Sequence, residues 1–162
     1  MPINKSTTTH LRENTVEALK FGISNMDGIE LDLRMCNDGE LVLHHDTTLM
    51  IDNPVQNGYQ KWTENNSSDD LKKVGFFKLD DLLSDSDFLN LWADSSKLVC
   101  FEIKLPHPRS GLAGGWRRGV SAFNYVTQMC NQLTNQLEER DLSTSNSIIF
   151  SFYPKISQAA KV

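Results

Sequence analysis

Three short stretches hold residue types and spacings from which a reaction can be built. Glu30-Leu31-Asp32 sets two carboxylates at positions i and i+2. On a strand those side chains leave the same face, so both can share one cation; the plain alternative is a solvated strand face. Phe101-Glu102-Ile103-Lys104 repeats the grammar, with charges on one face and Val99, Phe101 and Ile103 on the other. Side by side, the two strands would put Glu102 next to Glu30 and Asp32. Lys104 would then be a compact cation beside three carboxylates, suited either to an anionic group or to a simple ion pair. His44-His45-Asp46 ends a strand and opens a loop, where catalytic groups collect. A histidine there exchanges protons near neutral pH, and only one of the two neighbours can face the same side as the inward residues.

Other candidates carry less. His10 lies in polar coil and His107 between two prolines; both read as ordinary loop residues. Tyr59 and Trp62 sit in a long polar loop, where they either cap a substrate or anchor the loop. Arg117-Arg118 reads as a solvated patch. Cys36, Cys100 and Cys130 are odd in number and far apart, which suggests neither a disulfide framework nor a metal site. They read as small reduced core residues.

The elements that must position these groups alternate between helix and strand. Residues 1–12 read as polar coil. Asn14-Thr15-Val16-Glu17 looks like a helix start, with a capping side chain and Glu three residues on. Val16, Leu19 and Ile23 follow at helical spacing up to Ser24-Asn25. Gly28 to Arg34 alternates strictly, as a strand does. Asn37-Asp38-Gly39 is a turn, and Glu40 to His45 a second strand. Residues 50–76 read as an irregular loop, long enough to be functional or mobile. Leu79 to Trp92 suggests one or two short helices, and Lys97 to Lys104 a strand stopped by Pro106 and Pro108. Ser110 to Gly119 is a glycine-rich loop. Phe123, Val126, Cys130, Leu133 and Leu137 form the apolar stripe of a helix of about five turns. Ser147 to Phe152 is a fourth strand, and Ile156 to Val162 begins another helix. Strands separated by helices imply parallel pairing and the α/β class. A parallel sheet is normally buried on both faces, so its carboxylates need compensation, for which a metal ion is a common partner.

Bulk properties narrow the classes. The chain has 162 residues, 16 Lys and Arg against 21 Asp and Glu, and a net charge of −5. The acidic balance and the lack of basic runs disfavour nucleic-acid binding. Apolar runs are far shorter than the ~20 residues of a transmembrane helix. The first residues lack the apolar segment of a secretory signal, which makes the cytoplasm the expected location. A closed eight-stranded α/β barrel takes ~250 residues, more than this chain has.

In order along the chain, these pieces resemble the glycerophosphodiester phosphodiesterase family. The resemblance rests on Arg12-Glu13-Asn14-Thr15-Val16-Glu17-Ala18, Asp27-Gly28-Ile29-Glu30-Leu31-Asp32-Leu33, the run from Asn37 to Asp46, and Phe101-Glu102-Ile103-Lys104. Weaker echoes are Lys78 to Leu83 and Ser151-Phe152, so it covers about residues 12–153. It implies a (β/α)8 TIM barrel, here partial with about four of eight strands. The implied activity is hydrolysis of glycerophosphodiesters, such as glycerophosphocholine, to an alcohol and glycerol 3-phosphate. A divalent cation, Mg2+ or Ca2+, would be held by Glu30, Asp32 and Glu102, whose oxygen-only character suits hard cations. His45 aligns with the second catalytic histidine of the family, and Lys104 with a lysine near the phosphate.

The sequence also departs from the family. The His-Arg-Gly motif upstream of the Glu-Asn-Thr helix start, which supplies the other acid/base histidine, has no counterpart here, and His10-Leu11-Arg12 does not replace it. The expectation is a truncated phosphodiesterase-like domain over residues 13–162, weakly active or inactive, with an open strand edge beside Glu30-Leu31-Asp32. A non-catalytic ligand- or metal-binding module derived from the family is the alternative.

Overall fold

The computed structural model describes residues 11–49, 51–52, 54–93, 97–110, 120–142 and 146–159. Most of the coil read at the N-terminus, with His10, lies outside these residues. So do nearly all of the glycine-rich loop with Arg117-Arg118 and the last three positions of the chain.

Helix α1 spans Val16–Asn25 and is followed directly by strand β1, Gly28–Met35. Thr15, not Asn14, caps the helix: its side chain accepts from the N–H of Ala18 at 3.2 Å. Such a cap stabilises by about 1 kcal/mol. The one-residue shift leaves the Asn14 side chain free for another task. Strand β2, Leu41–Leu43, returns antiparallel to β1 with Leu33 opposite Leu43. Gly39 closes the connecting turn at φ 86°, a conformation glycine adopts without steric cost.

The stretch read as a long loop contains more order than expected. A 3-10 turn covers Thr63–Asn65 and helix α2 covers Ser68–Lys73; a two-residue strand β3, Phe77–Lys78, follows the stretch directly. Ser67 caps α2 by accepting from Asp70, and Asp38 of the hairpin turn accepts from the N–H of Ser68 at 2.8 Å. Acidic residues in the first turn of α2 and Lys72-Lys73 in its last complement the helix dipole. Helices α3, Leu79–Leu83, and α4, Ser86–Ala93, lead to strand β4, Leu98–Ile103. Helix α5, Val120–Glu138, strand β5, Ser147–Phe150, and helix α6, Ile156–Ala159, complete the described order.

The five strands form one mixed sheet in the order β3-β2-β1-β4-β5. The parallel pairing expected across helices holds for β1 with β4 and for β4 with β5. Strand β2 pairs antiparallel with β1 across the tight turn at Gly39, and β3 pairs antiparallel with β2 after the long connection that holds α2. Gly28 meets β4 so closely that a Cβ there would lie 2.6 Å from the Leu98 carbonyl oxygen.

Apolar packing is one-sided. Leu31, Leu33, Val99, Phe101 and Ile103 face the helices and pack with Leu19, Ile23, Phe88, Val126, Met129 and Leu133. The opposite face carries Glu30, Asp32, Arg34, Glu102 and Lys104, and Glu30, Leu98 and Ile148 on it are exposed. The expected burial of both faces is met in part: Asp32, Arg34 and Glu102 on the polar face are buried as well. The open edge expected beside β1 is partly occupied: β2 pairs with Leu33–Met35, and the N–H of His44 donates to the Asp32 carbonyl at 3.0 Å. A second small core under the long loop joins Cys36, Val42, Leu49, Leu71 and Phe76. Cys36, Cys100 and Cys130 are free thiols, the first and last buried. No helix among the described residues is long and apolar enough to cross a membrane.

Leu31 has no solvent exposure and lies between α1 and the rest of the core. Leu31→Ala is expected to lower unfolding free energy by about 2–5 kcal/mol, measured by urea denaturation; a cost near zero would mean that the helices do not pack on this face.

Candidate active site

The β1–β4 register builds the site. Asp32 lies directly opposite Glu102, and Glu30 lies two residues before Asp32 on the same face. One carboxylate oxygen from each of Glu30, Asp32 and Glu102 falls within 4.8 Å of the others. Three carboxylates that close repel, and two of them, Asp32 and Glu102, are buried. Lys104 supplies part of the compensation. Its Nζ lies 2.7 Å from Glu102 Oε1 and 2.9 Å from Asp32 Oδ1, and its side chain is 12% exposed. Burial opposes the ammonium form, but the hydrogen bonds to Glu102 and Asp32 outweigh it, so the Lys104 pKa sits above its usual value. Three carboxylates and one ammonium leave two negative charges.

Glu30 carries the remaining strain. Partial desolvation, followed by repulsion from Asp32 and Glu102, holds its carboxyl above the usual range. Among the described residues no cation reaches Glu30 within ion-pair distance. The donors are all oxygens, which fits a hard divalent cation of the Mg2+ or Ca2+ type. The net charge left by Lys104 fits it as well.

Asn14 is a site residue that the helix-start reading had assigned to capping. At φ 55°, a left-handed conformation that Asn tolerates, it turns its amide toward β1. Its Nδ2 donates to Asp32 Oδ2 at 2.8 Å, and its Oδ1 accepts the Asp32 N–H at 3.0 Å. Asp32 is thereby held on one oxygen by Asn14 and on the other by Lys104. The signal available in sequence was the doubling of polar residues at Asn14-Thr15, where one cap is enough.

The two histidines part as strand alternation requires. His44 is buried, with its ring edge-on to Phe76 at 4.6 Å and Nε2 3.1 Å from the Thr48 carbonyl; burial lowers its pKa. His45 is exposed and lines a cleft with Arg34, Glu102, Lys104, Ser151 and Phe152. Its Nδ1 lies 2.9 Å from Asp46 Oδ1. That hydrogen bond, ahead of the opposing effect of burial, holds the Asp46 carboxyl below its usual range. An ionised Asp46 accepts, so Nδ1 carries the proton and Nε2 is the ring nitrogen open to proton exchange.

Arg34, which lines the cleft, belongs to a buried pair that the irregular sequence around Glu64 concealed. Arg34 and Glu64 are 4% and 0% exposed, with Nη1 and Oε2 at 3.9 Å. Glu64 Oε1 accepts the N–H of His107, and Trp62 stacks on the His107 ring at 3.7 Å. Trp62 and His107 thus tie the long loop to the exit of β4. Tyr59 packs against the small core under that loop.

The mixed sheet, packed on helices by its apolar face and carrying a row of charged residues along two parallel strands on the other, defines an α/β fold with an acidic site on one sheet face. Residues 4–107 match the glycerophosphoryl diester phosphodiesterase family, and the chain belongs to it. No curated protein matches. Among solved structures, the chain resembles a glycerophosphodiester phosphodiesterase from Thermotoga maritima at 20% identity and a TM-score of 0.58, covering 90% of this chain and 50% of that one. It also resembles the enzyme from Parabacteroides distasonis (14% identity, TM-score 0.61, 90% of this chain and 52% of that one). A third likeness is to the enzyme from Agrobacterium tumefaciens (19% identity, TM-score 0.57, 92% and 56%). At these identities the likeness speaks for the fold. The chain spans about half the length of each, consistent with part of a TIM-barrel-like fold.

The raised Glu30 carboxyl gives a pH prediction. A carboxyl whose folded pKa exceeds its unfolded value binds protons more readily when folded, so its ionisation destabilises the fold as pH rises through that window. In metal-free buffer at pH 7, Glu30→Gln should therefore raise the thermal midpoint. The gain should vanish below about pH 4.3, where the unfolded carboxyl is protonated too. An unchanged midpoint at pH 7 would contradict the repulsion described.

Proposed function

We propose that this chain carries the metal- and phosphate-binding side of a glycerophosphodiester phosphodiesterase site. The reaction is hydrolysis of a glycerophosphodiester, such as glycerophosphocholine, to an alcohol and glycerol 3-phosphate. The observation that supports it most is the convergence of Glu30, Asp32 and Glu102 within 4.8 Å, with two negative charges left after Lys104. Such a cluster gains little from remaining empty and much from a divalent cation.

In this reading Glu30, Asp32 and Glu102 hold Mg2+ or Ca2+, and Asn14 keeps the Asp32 carboxylate oriented. The cation, when bound, offsets charge on the phosphodiester. Lys104, freed in part from Glu102, meets a phosphate oxygen as a point charge. His45 exchanges a proton through Nε2 while Asp46 fixes the ring through Nδ1. The sequence holds no His-Arg-Gly motif to supply a second acid/base histidine. We therefore propose that residues 1–162 on their own bind cation and substrate with little or no turnover. A second reading is a non-catalytic ligand- or metal-binding module of the same family.

Calorimetric titration with Mg2+ and with Ca2+ tests the site directly. Wild type should bind one of them. Asp32→Ala should weaken it at least about tenfold, a loss of ~1.4 kcal/mol. His45→Ala should leave cation affinity unchanged. Equal cation affinity in wild type and Asp32→Ala would remove the metal assignment. Release of glycerol 3-phosphate from glycerophosphocholine, assayed on the same samples, separates the two readings. Slow, cation-dependent release that His45→Ala lowers by about 10²–10⁴ supports the hydrolase. Binding with no release at all supports the module. Vigorous release by wild type would overturn the expectation of weak activity.

A further inference from the structure

We infer that Arg34 is a positioning residue that fixes His45 and Lys104 relative to one another across the sheet. Strands β2 and β4 flank β1 on opposite sides and share no ladder. His45 follows β2 and Lys104 follows β4, each beyond its last paired strand residue. Arg34 spans the gap between them. Its Nε and Nη2 both donate to the His45 carbonyl, at 3.2 and 2.7 Å, and its Nη1 donates to the Leu105 carbonyl at 2.9 Å. One planar group therefore clamps the backbone of His45 on one side of β1 and the backbone next to Lys104 on the other.

The chemistry requires arginine. A guanidinium presents its donors in a rigid fork, so it can serve two separate carbonyls at fixed angles. A lysine ammonium in the same place would keep the charge and lose the geometry. Glu64 makes the burial tolerable: it supplies the opposite charge at 3.9 Å and, through the N–H of His107, joins the loop after β4 to the same node. A guanidinium this buried without that partner would be strongly destabilising. The significance for reaction rests on the roles proposed for His45 and Lys104. The clamp itself is a matter of geometry and is tested separately.

The test is nuclear magnetic resonance of the histidine rings in the full chain, isotope-labelled at histidine, for wild type, Arg34→Lys and Arg34→Met. His44 is an internal control, because Thr48 and Phe76 hold its ring independently of Arg34. Wild type should give one sharp set of His45 ring signals. In both variants those signals should broaden or split while the His44 signals stay where they are. Arg34→Lys should fail to restore the wild-type spectrum, since charge alone is not the device. If Arg34→Met does not fold, Arg34→Lys decides alone. An unchanged His45 ring in the variants would overturn the inference. So would equal disturbance of His44 and His45, which would make Arg34 a general support of the sheet. Adding Mn2+ extends the measurement: its relaxation of the His45 ring protons should weaken in Arg34→Lys without loss of Mn2+ affinity, and unweakened relaxation would count against the clamp. Failure of wild type to bind Mn2+ would count against the metal site, and the ring signals would still decide the role of Arg34.

Discussion

Two buried carboxylates stand directly opposite each other on neighbouring parallel strands, and much of the surrounding structure answers that one juxtaposition. Asp32 and Glu102 are paired in register. Side chains on adjacent strands are too close for two like charges to coexist without compensation. Lys104 bridges both carboxylates, and Asn14 holds the second oxygen of Asp32. Glu30 then adds a third negative charge that no described residue neutralises. An arrangement that needed only stability would place apolar residues here, because replacing buried charges with packed hydrophobics is often neutral or better. The cost is intelligible where the charge has a ligand to meet.

The apolar half of the same strands makes this cost bearable. Leu31, Leu33, Phe101 and Ile103 alternate with the charged residues and are sealed by helices α1, α4 and α5. A one-residue slip of β1 against β4 would bring all the charges into the core and all the apolar side chains out. The register that creates the electrostatic tension is therefore fixed by the hydrophobic face beneath it. Gly28 contributes at the start of the pair, where only a residue without a Cβ admits the Leu98 carbonyl. At the other end of the strands, Arg34, which lines the cleft, and Glu64 form a second buried charged pair.

Strand periodicity made part of this legible in the sequence. Gly28 to Arg34 alternates strictly, and the matched grammar of residues 101–104 was enough to expect Glu102 beside Asp32. The separation of His44 from His45 also follows from alternation. What escaped depends on tertiary geometry. Asn14 leaves its expected capping role because Thr15 caps instead and because a positive φ turns its amide to Asp32. Glu64 lies in a stretch with no periodicity, and its burial comes from a counter-charge 30 residues away in sequence. Strand β3 has two residues, too few to alternate. Helix α2 was within reach: Ser67 with Asp70 three residues on, then a pair of lysines, is a start and a stop signal.

On the proposed reading, Glu30, Asp32 and Glu102 together hold a divalent cation. The most direct measurement is a crystal structure of the protein grown with Mn2+, with anomalous diffraction locating the ion. One anomalous peak is expected among these three carboxylates, with an oxygen of each within the ~2.0–2.6 Å range of hard-cation coordination. Clear density for the three side chains with no peak between them, and Lys104 still bridging Asp32 and Glu102, would contradict it.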